Sequence, residues 1–371
     1  MKVLTVVGTR PEIIKLSLVI KELEDNVEHI LVHTGQNYDY ELNQIFFNDL
    51  NIKKPNYFLE ANEDTPSKTV GSVLLKIDPI LEKEKPDAVL LYGDTNSCLC
   101  AIAAKKRRIP IFHMEAGNRC FDPRVPEESN RKVIDHLSDI NIVHSEHARR
   151  YLLDEGLHPE RIFKSGSPMK EVLNFYSENI QSSKVLNDLK LKPQDYFLLS
   201  CHREENVDSE SNFKNLLSTL DELTNKYNKK VIFSAHPRTR KKLEEIGYTN
   251  KNQMIEIMKP LGFFDYMNLQ LNAYCTLSDS GTITEESSIL NFPAVTIRQA
   301  HERPEGMDEL AVLMSDLYAE AVIRAVDFTV KNYKYRQPIE DYKADNVSKK
   351  TVGWILSYTD FVNRFVWRKN L

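Results

Sequence analysis

The chain has few cysteines, no long apolar run and no surplus of positive charge, and each shortage excludes a class of protein. Its five cysteines are scattered through 371 residues, with neither a disulfide framework nor a metal-ligand spacing. No apolar run approaches the roughly 20 residues that cross a bilayer. The formal net charge of −5 offers no basic surface to nucleic acid. We therefore expect a cytoplasmic globular protein without a metal, a membrane contact or a nucleic-acid partner.

Two phosphate-binding fingerprints are missing as well. No GxGxxG sequence follows the first apolar run, and GxxxxGK(S/T) does not occur in the chain. A dinucleotide cofactor and a P-loop nucleotide site both lack their usual signature. Any anionic ligand must then be held by a few well-placed cations and backbone N–H groups.

What the sequence does contain is an alternation of short apolar runs and amphipathic helical stretches. The apolar runs predict strands at Val3–Val7, His29–His33, Ala88–Tyr92, Ile109–Phe112, Ile140–Val143, Tyr196–Cys201, Val231–Ser234, Met254–Ile257, Ala273–Leu277 and Ala294–Ile297. The helical patterns between them include Pro11–Leu23, Asn212–Lys226 and Leu317–Val326. Such alternation is typical of right-handed βαβ units, and so of an α/β fold with parallel sheets.

The order of elements restarts after a polar stretch, 177–195, which is poor in strand signals. We therefore predict two doubly wound domains, at residues 1–170 and 171–353. The segment 354–371, aromatic and amphipathic, is predicted to pack back on the first domain. Because ligands of such sheets bind beyond the carboxyl ends of the strands, the residues that follow each predicted strand indicate the function.

The first predicted strand is followed by a cation, Arg10, at the start of a helix. Thr9 and Glu12 fit a capping box and Pro11 suits a first helical turn, so most of this segment has a structural explanation. A cation at a helix N-terminus opposes the helix dipole and needs an anion beside it. We therefore predict that Arg10, reinforced by Lys15 about one turn later, contributes to an anion site.

Three acids lie close to the ends of predicted strands. Asp94 and Glu115 follow neighbouring strands, and Glu127 opens the next helix. Each alone has an ordinary explanation, because acids cap helices and favour their first turn. Carboxylates gathered beside an anionic ligand repel one another, which raises their pKa values and suits proton transfer. Together the acids predict an acid/base site.

The second predicted domain supplies a histidine, a turn of small residues and another cation. His202 follows the first strand of this domain, and Ser278–Thr282 joins a later strand to a helix. Small residues in such a turn let backbone N–H groups approach a phosphate. Glu285 and Glu286 follow in the helix, where one could complement the dipole while the other binds ribose hydroxyls. Arg303 comes shortly after the last predicted strand.

At these residues the chain resembles the non-hydrolysing UDP-N-acetylglucosamine 2-epimerase family, over nearly its full length. The resemblance is carried by GTRPE (8–12) with Lys15, GDT (93–95), HMEAG (113–117), PEESNR (126–131), HREEN (202–206), DSG…EE (279–286) and ERPE (302–305). It implies a glycosyltransferase-B-like fold, in which two Rossmann-like domains face a cleft that holds a UDP-sugar. It also implies a homodimer that needs no redox cofactor.

The resemblance implies a role for each candidate residue. Asp94, Glu115 and Glu127 are similar to the family's acid/base group, and His202 is similar to a substrate contact that assists the leaving diphosphate. The implied UDP site comprises Arg10, Lys15, Ser280, Gly281, Thr282, Glu286 and Arg303, with Thr282 standing where many members have glycine. Because the C2 proton of such a sugar is not next to a carbonyl group, we expect UDP to be eliminated and added back.

The amino-acid sequences of two segments narrow the range of expected substrates. HMEAGNRCFDPRVPEE (113–128) and HTGQNYDYELN (33–43) resemble the branch that converts UDP-2-acetamido-2,6-dideoxy-L-talose to UDP-N-acetyl-L-fucosamine for capsules and O-antigens. Epimerisation of UDP-N-acetylglucosamine to UDP-N-acetylmannosamine is the alternative within the family. In another class, a UDP-sugar glycosyltransferase would use the same architecture, but the sequence offers no acceptor-binding stretch. A non-catalytic UDP-sugar sensor fits less well, since it has no need for clustered acids.

Overall fold

The computed structural model of the chain describes residues 1–35 and 44–369. The chain forms two compact units. The first unit comprises Met1–Asn174 and Asp341–Leu371, and the second comprises Phe175–Glu340. The first unit is therefore discontinuous, because the chain leaves it once and returns. Among the described residues, no helix combines the length and the apolar character that crossing a membrane requires.

The first unit is built on a parallel sheet. Its strands are β1 (Lys2–Val7), β2 (Glu28–His33), β3 (Tyr57–Phe58), β4 (Ala88–Tyr92), β5 (Ile111–Met114), β6 (Ile140–Val143) and β7 (Ile162–Lys164). They pair in the order β3-β2-β1-β4-β5-β6-β7, and every pair is parallel. The order reverses between β1 and β4, which creates a switch point of the kind at which such sheets bind ligands.

The second unit repeats this arrangement. Its strands are β8 (Tyr196–Ser200), β9 (Lys230–Ser234), β10 (Ile255–Met258), β11 (Cys275–Ser278), β12 (Ala294–Ile297) and β13 (Leu313–Ser315). They pair in the order β10-β9-β8-β11-β12-β13, again in parallel throughout. The switch point of this sheet lies between β8 and β11.

Helices connect the strands of both units. In chain order they are α1 (Arg10–Asn26), α2 (Gln44–Asp49), α3 (Pro66–Glu84), α4 (Ala101–Lys106), α5 (Glu127–Leu137), α6 (Glu146–Asp154), α7 (Met169–Phe175), α8 (Ser177–Gln181), α9 (Val185–Asp188), α10 (Glu204–Val207), α11 (Glu210–Tyr227), α12 (Pro237–Glu245), α13 (Phe263–Asn272), α14 (Thr282–Leu290), α15 (Pro304–Asp308), α16 (Ala319–Asn332) and α17 (Val347–Phe365). Short 3₁₀ helices lie at Asn96–Cys100, Pro159–Arg161, Tyr333–Tyr335 and Glu340–Tyr342.

The packing of α1 explains why its sequence is apolar over more than one face. Residues 12–20 of α1 are all buried, since the helix contacts β1 and is also contacted by α17. The capping box at Thr9 and Glu12 is present, with Pro11 in the first turn. The same helix α17 also contacts β7, where the ring of Phe163 stacks on Trp354 with centroids 5.1 Å apart.

Two parallel sheets with intervening helices confirm the predicted α/β class, and the predicted strands are confirmed with shifted ends. The strand predicted at 109–112 is observed as β5 at Ile111–Met114, two residues later. It begins after Pro110 because proline has no N–H to donate to a neighbouring strand. The strands β3, β7 and β13 were not predicted. Each has only two or three residues at or near a sheet edge, too short to show an apolar pattern.

Candidate active site

Ionisable side chains gather at the carboxyl ends of neighbouring strands in the first unit. β1 leads into Arg10 and Glu12 of α1, β4 leads into Asp94, and β5 leads into Glu115. These strands are adjacent in the sheet, so their ends share one edge. Arg10 is half-buried there, with its guanidinium carbon 5.6 Å from the centroid of the Phe46 ring.

Glu115 occupies the turn after β5 with a left-handed backbone at φ +63°. Its Oε2 accepts hydrogen bonds from Lys15 Nζ at 2.9 Å and from Tyr92 Oη at 2.7 Å. Lys15 is buried, and the Glu115 side chain is 13% exposed. The structure thus places the predicted cation Lys15 against the predicted acid Glu115. The role of Lys15 in binding UDP stays a prediction.

Asp135 of α5 holds the turn that contains Glu115. Its carboxylate accepts from the backbone N–H of Gly117 at 3.1 Å and from Arg119 Nη1 at 2.8 Å, and it lies 2.9 Å from His113 Nδ1. All of these side chains are buried. Because a left-handed non-glycine residue costs on the order of 1–3 kcal/mol, such a network is needed to keep Glu115 in place.

Asp94 is joined to α5 by an ion pair. Arg131 Nε donates to Asp94 Oδ2 at 2.8 Å, and Arg131 Nη1 donates to Glu128 Oε2 at 2.7 Å. Asn130 Nδ2 also donates to the carbonyl oxygen of Asp94 at 3.0 Å. Arg131 is buried, whereas the Asp94 side chain is 26% exposed. The N-terminal part of α5 is therefore fixed against the loop after β4.

The adjacent acids Glu127 and Glu128 differ in their surroundings. Glu128 is buried and accepts from the backbone N–H groups of Cys120 and Phe121, both at 3.1 Å, so it holds the loop before α5. Glu127 is half-buried and is the first residue of α5. The catalytic role of Glu127 stays a prediction.

Glu12 joins the loops that follow β1 and β4. Its Oε2 accepts from the backbone N–H groups of Gly8 at 2.5 Å and Thr9 at 2.9 Å, and its Oε1 accepts from Thr95 Oγ1 at 2.6 Å. Burial raises the pKa of Glu12 to about 7, although these donors act in the opposite direction. The carboxyl group therefore changes its charge near neutral pH.

In the second unit, the fully buried Asp279 organises the switch point between β8 and β11. It accepts from the backbone N–H groups of His202 and Arg203, both at 2.9 Å, and from Asn206 Nδ2 at 3.1 Å. Its Oδ1 also lies 3.1 Å from His202 Nδ1. Burial acts to raise the pKa of Asp279, but His202 and the donors hold it well below its usual range. The His202 ring, 28% exposed, is oriented by this contact.

Ser280, Gly281 and Thr282 form the turn from β11 into α14. Ser280 Oγ lies 3.0 Å from Thr282 Oγ1, and Arg303 Nε donates to the carbonyl oxygen of Gly281 at 3.0 Å. Gly281 has an ordinary backbone at φ −64°, yet a side chain there would overlap with Glu302 Oε1. Thr282 is the first residue of α14, where backbone N–H groups lack partners within the helix.

Two further acids of this unit are buried against polar partners. Glu286 Oε2 accepts from Gln270 Nε2 at 2.7 Å. Glu302 Oε2 accepts from the buried Arg298 Nη1 at 2.8 Å, and its other oxygen lies 3.7 Å from Arg203 Nη2. Buried charges of this kind need such compensation. The prediction that Glu286 binds ribose stays a prediction.

The structure arranges the predicted residues in two groups, one in each unit. The first group consists of Arg10, Lys15, Asp94, Glu115 and Glu127. The second consists of His202, Ser280, Gly281, Thr282, Glu286 and Arg303. Residues that were not predicted but contact these groups are Tyr92, Arg131, His144, Asp279 and Glu302. Asp135, also not predicted, bonds to the backbone of Gly117 in the turn that follows Glu115. Of the predicted segment 33–43, residues 36–43 lie outside the described residues.

The chain is similar to known proteins in both sequence and structure. The family model described as UDP-N-acetylglucosamine 2-epimerase matches residues 21–356. The structure of UDP-N-acetylglucosamine 2-epimerase from Rickettsia bellii is 55% identical, covers 100% of both chains and superposes with a TM-score of 0.93. The Methanocaldococcus jannaschii UDP-GlcNAc 2-epimerase, solved in complex with UDP-GlcNAc and UDP, is 36% identical over 96% of this chain and 100% of its own, with a TM-score of 0.91. The UDP-2,3-diacetamido-2,3-dideoxy-D-glucuronate 2-epimerase of Pseudomonas aeruginosa is 34% identical over 90% of this chain and 94% of its own.

Proposed function

The chain belongs to the UDP-N-acetylglucosamine 2-epimerase family and is a UDP-sugar 2-epimerase, and from this premise we propose that it inverts C2 of a UDP-2-acetamido sugar by eliminating UDP and adding it back. The observation that carries the proposal is the position of Glu115. Its carboxylate lies at the end of β5, bonded to the buried Lys15, on the sheet edge that also carries Asp94.

The chemistry explains why several carboxylates are needed. The C2 proton is not acidic enough for simple removal, so a carboxylate takes it while the C1–O bond to UDP breaks. The products of this step are a 2-acetamidoglycal and UDP. UDP then adds to C1 as a second group delivers a proton to the opposite face of C2. We propose that Asp94, Glu115 and Glu127 supply these acid/base groups.

The departing diphosphate needs positive charge and hydrogen-bond donors. We propose that His202 contacts it, as do the backbone N–H groups at the start of α14. Arg10 and Arg303 are proposed to add positive charge to the UDP site, and Glu286 to bind the ribose. Support for the phosphate contact comes from the ordered turn at 280–282, which presents the first residues of a nine-residue helix.

Turnover in D₂O with the UDP-sugar as the sole substrate tests the reaction. We expect deuterium at C2 of the product, because the proton that returns comes from a group in exchange with solvent. Product that lacks deuterium at C2 contradicts elimination and re-addition. A transferase would require an acceptor, so reaction of the sugar nucleotide alone also separates the two classes of enzyme.

We propose UDP-2-acetamido-2,6-dideoxy-L-talose as the substrate, because the sequence of residues 113–128 resembles the branch of the family that acts on this sugar. A second candidate is UDP-N-acetylglucosamine, which is favoured by the similarity to the Rickettsia bellii and Methanocaldococcus jannaschii UDP-N-acetylglucosamine 2-epimerases. An assay that offers both sugars separately, at equal concentration, decides between them by kcat/KM. Faster turnover of UDP-N-acetylglucosamine would replace the 6-deoxy-L-sugar by the second candidate.

The product of the proposed reaction is a nucleotide-activated amino sugar. We propose that it serves capsule or O-antigen synthesis, and that the enzyme acts as a homodimer. Light scattering on the purified protein tests the second statement. A molar mass near 86 kDa, on the basis of 43.0 kDa for one chain, is the expected result, and a mass near that of one chain contradicts it.

A further inference from the structure

Tyr92 and His144 form a chain of polar contacts behind Glu115 that the outlined mechanism does not use. Tyr92 is the last residue of β4 and His144 directly follows β6, so both lie on the same sheet edge as Glu115. Both side chains are buried. A buried phenol and a buried imidazole beside a reacting carboxylate are suited to moving protons.

The distances define the order of the contacts. Tyr92 Oη lies 2.7 Å from Glu115 Oε2 and 3.4 Å from His144 Nε2. A phenol has a single hydrogen, so Tyr92 donates to Glu115 while it accepts from the N–H of His144. His144 Nδ1 is also 3.9 Å from Glu115 Oε2. The contacts therefore run from His144 through Tyr92 to Glu115.

Epimerisation with two acid/base groups creates a need for such a path. A turnover that takes a proton from one face of C2 and delivers one to the other leaves the two groups with exchanged protonation states. Before the next turnover in the same direction, the protons must return to their starting positions. The Glu115 side chain is only 13% exposed, so bulk water has restricted access to it.

We propose that Tyr92 and His144 are positioning residues that relay protons to and from Glu115, an inference that rests on the proposed function. In one direction, the Nε2 proton of His144 passes to Tyr92 Oη as the phenolic proton passes to Glu115 Oε2. The imidazolium becomes a neutral imidazole and the carboxylate becomes a carboxylic acid, so charge and protons balance. The reverse transfer removes a proton from Glu115.

Lys15 is a charged group of the described residues that also faces this path. It reaches from α1 to the same Glu115 oxygen at 2.9 Å, and its Nζ lies 5.6 Å from the centroid of the Tyr92 ring. The ammonium favours the ionised carboxylate between turnovers. If Lys15 itself returned the proton, removal of the Tyr92 hydroxyl would leave turnover unchanged, which makes Tyr92 the position to test.

The first experiment compares Tyr92→Phe with the wild type in single and in multiple turnover. We expect kcat to fall at least about tenfold, while KM, UDP affinity and the rate of a single turnover with enzyme in excess stay within about twofold. The matched control is Tyr196→Phe, which removes another buried hydroxyl, bonded to the Leu269 carbonyl oxygen at 2.7 Å in the second unit. It should change neither rate.

The second experiment uses His144→Asn, which retains a polar side chain but cannot ionise. We expect the pH profile of kcat to lose one ionisation, and added imidazole to restore part of kcat in His144→Ala.

Equal losses of single and multiple turnover in Tyr92→Phe overturn the relay, as does an unchanged kcat. A wild-type enzyme that brings no deuterium into C2 of either sugar overturns the proposed function itself. The Tyr92→Phe result decides the relay even if the His144 variants do not fold.

Discussion

Glu302 occupies the space into which a side chain on Gly281 would extend, so a larger residue at 281 requires the Glu302 carboxylate to move. The backbone angles of Gly281 would suit any residue. Glycine is needed there because the Glu302 carboxylate, paired with Arg298 at 2.8 Å, is buried directly against it. The shape of the proposed phosphate turn therefore depends on a residue that follows it by 21 positions in the chain.

Replacing Gly281 with alanine should disturb this turn. We expect Gly281→Ala to lower the free energy of unfolding by about 1–3 kcal/mol through overpacking, and to weaken UDP binding as the turn shifts. Urea denaturation and calorimetry with UDP measure the two effects. The matched control is Gly71→Ala in α3, where an added methyl group meets nothing within 4 Å. It should raise stability by roughly 0.5–1 kcal/mol and leave UDP binding unchanged.

Substitutions of the neighbouring acids Glu127 and Glu128 of α5 should affect different properties, one catalysis and the other stability. Glu127→Gln is expected to reduce kcat by roughly 100-fold or more, with little change in unfolding free energy. Glu128→Gln removes a charge that pairs with the buried Arg131 at 2.7 Å while Asp94 still pairs with it, so it should cost about 1–3 kcal/mol of stability. Steady-state kinetics and denaturation of both variants provide the comparison. Unaltered turnover in Glu127→Gln would exclude it as an essential acid or base.

Glu12 should make stability depend on pH near neutrality. Its pKa is raised from 4.5 to about 7 in the folded protein, so its contribution to stability is present below pH 4.5 and is lost as pH rises through 7. The Glu12→Gln variant lacks this titration. From pH 4.5 to 8 the wild type should therefore lose roughly 3 kcal/mol relative to the variant. A stability difference that stays constant over this range contradicts the assignment.

The contribution of Asp279 to stability should depend on pH in the opposite direction to that of Glu12. Because its pKa is held below the usual value of 3.8, its contribution is present above pH 3.8 and falls as the pH drops below that value. Asp279→Asn should be destabilised by about 3–5 kcal/mol at pH 7, with a gap from the wild type that narrows towards pH 3. Asp327→Asn, at a surface pair with Lys226, is the control and should cost less than about 1 kcal/mol.

Much of the fold could be predicted because parallel strands carry a strong local signal. β1 and β8 are buried almost throughout, and each appears in the sequence as a mostly apolar run. The edge strand β3 has only two residues, and its position depends on pairing with β2 rather than on its own composition. Short edge strands therefore could not be found from the sequence.

The position of a residue just after a predicted strand was one of the signals for the candidate site. Asp94 and Glu115 were found by that rule, and the same rule would have pointed to His144 after β6 and to Asp279 after β11. Asp135 had no such signal, because it lies in the middle of α5 and reaches Gly117 only in the folded chain. Side chains that hold a site through long-range contacts leave no local pattern in the sequence.

The discontinuity of the first unit has a consequence for the order in which the chain becomes functional. α17, which covers α1, comes from the end of the sequence, whereas every residue of the second unit precedes it. On the ribosome, the second unit can fold as soon as its residues emerge. The first unit must wait for the last helix, and α1 carries Lys15 and Glu12. The nascent protein should therefore place Lys15 against Glu115 only after α17 has been synthesised.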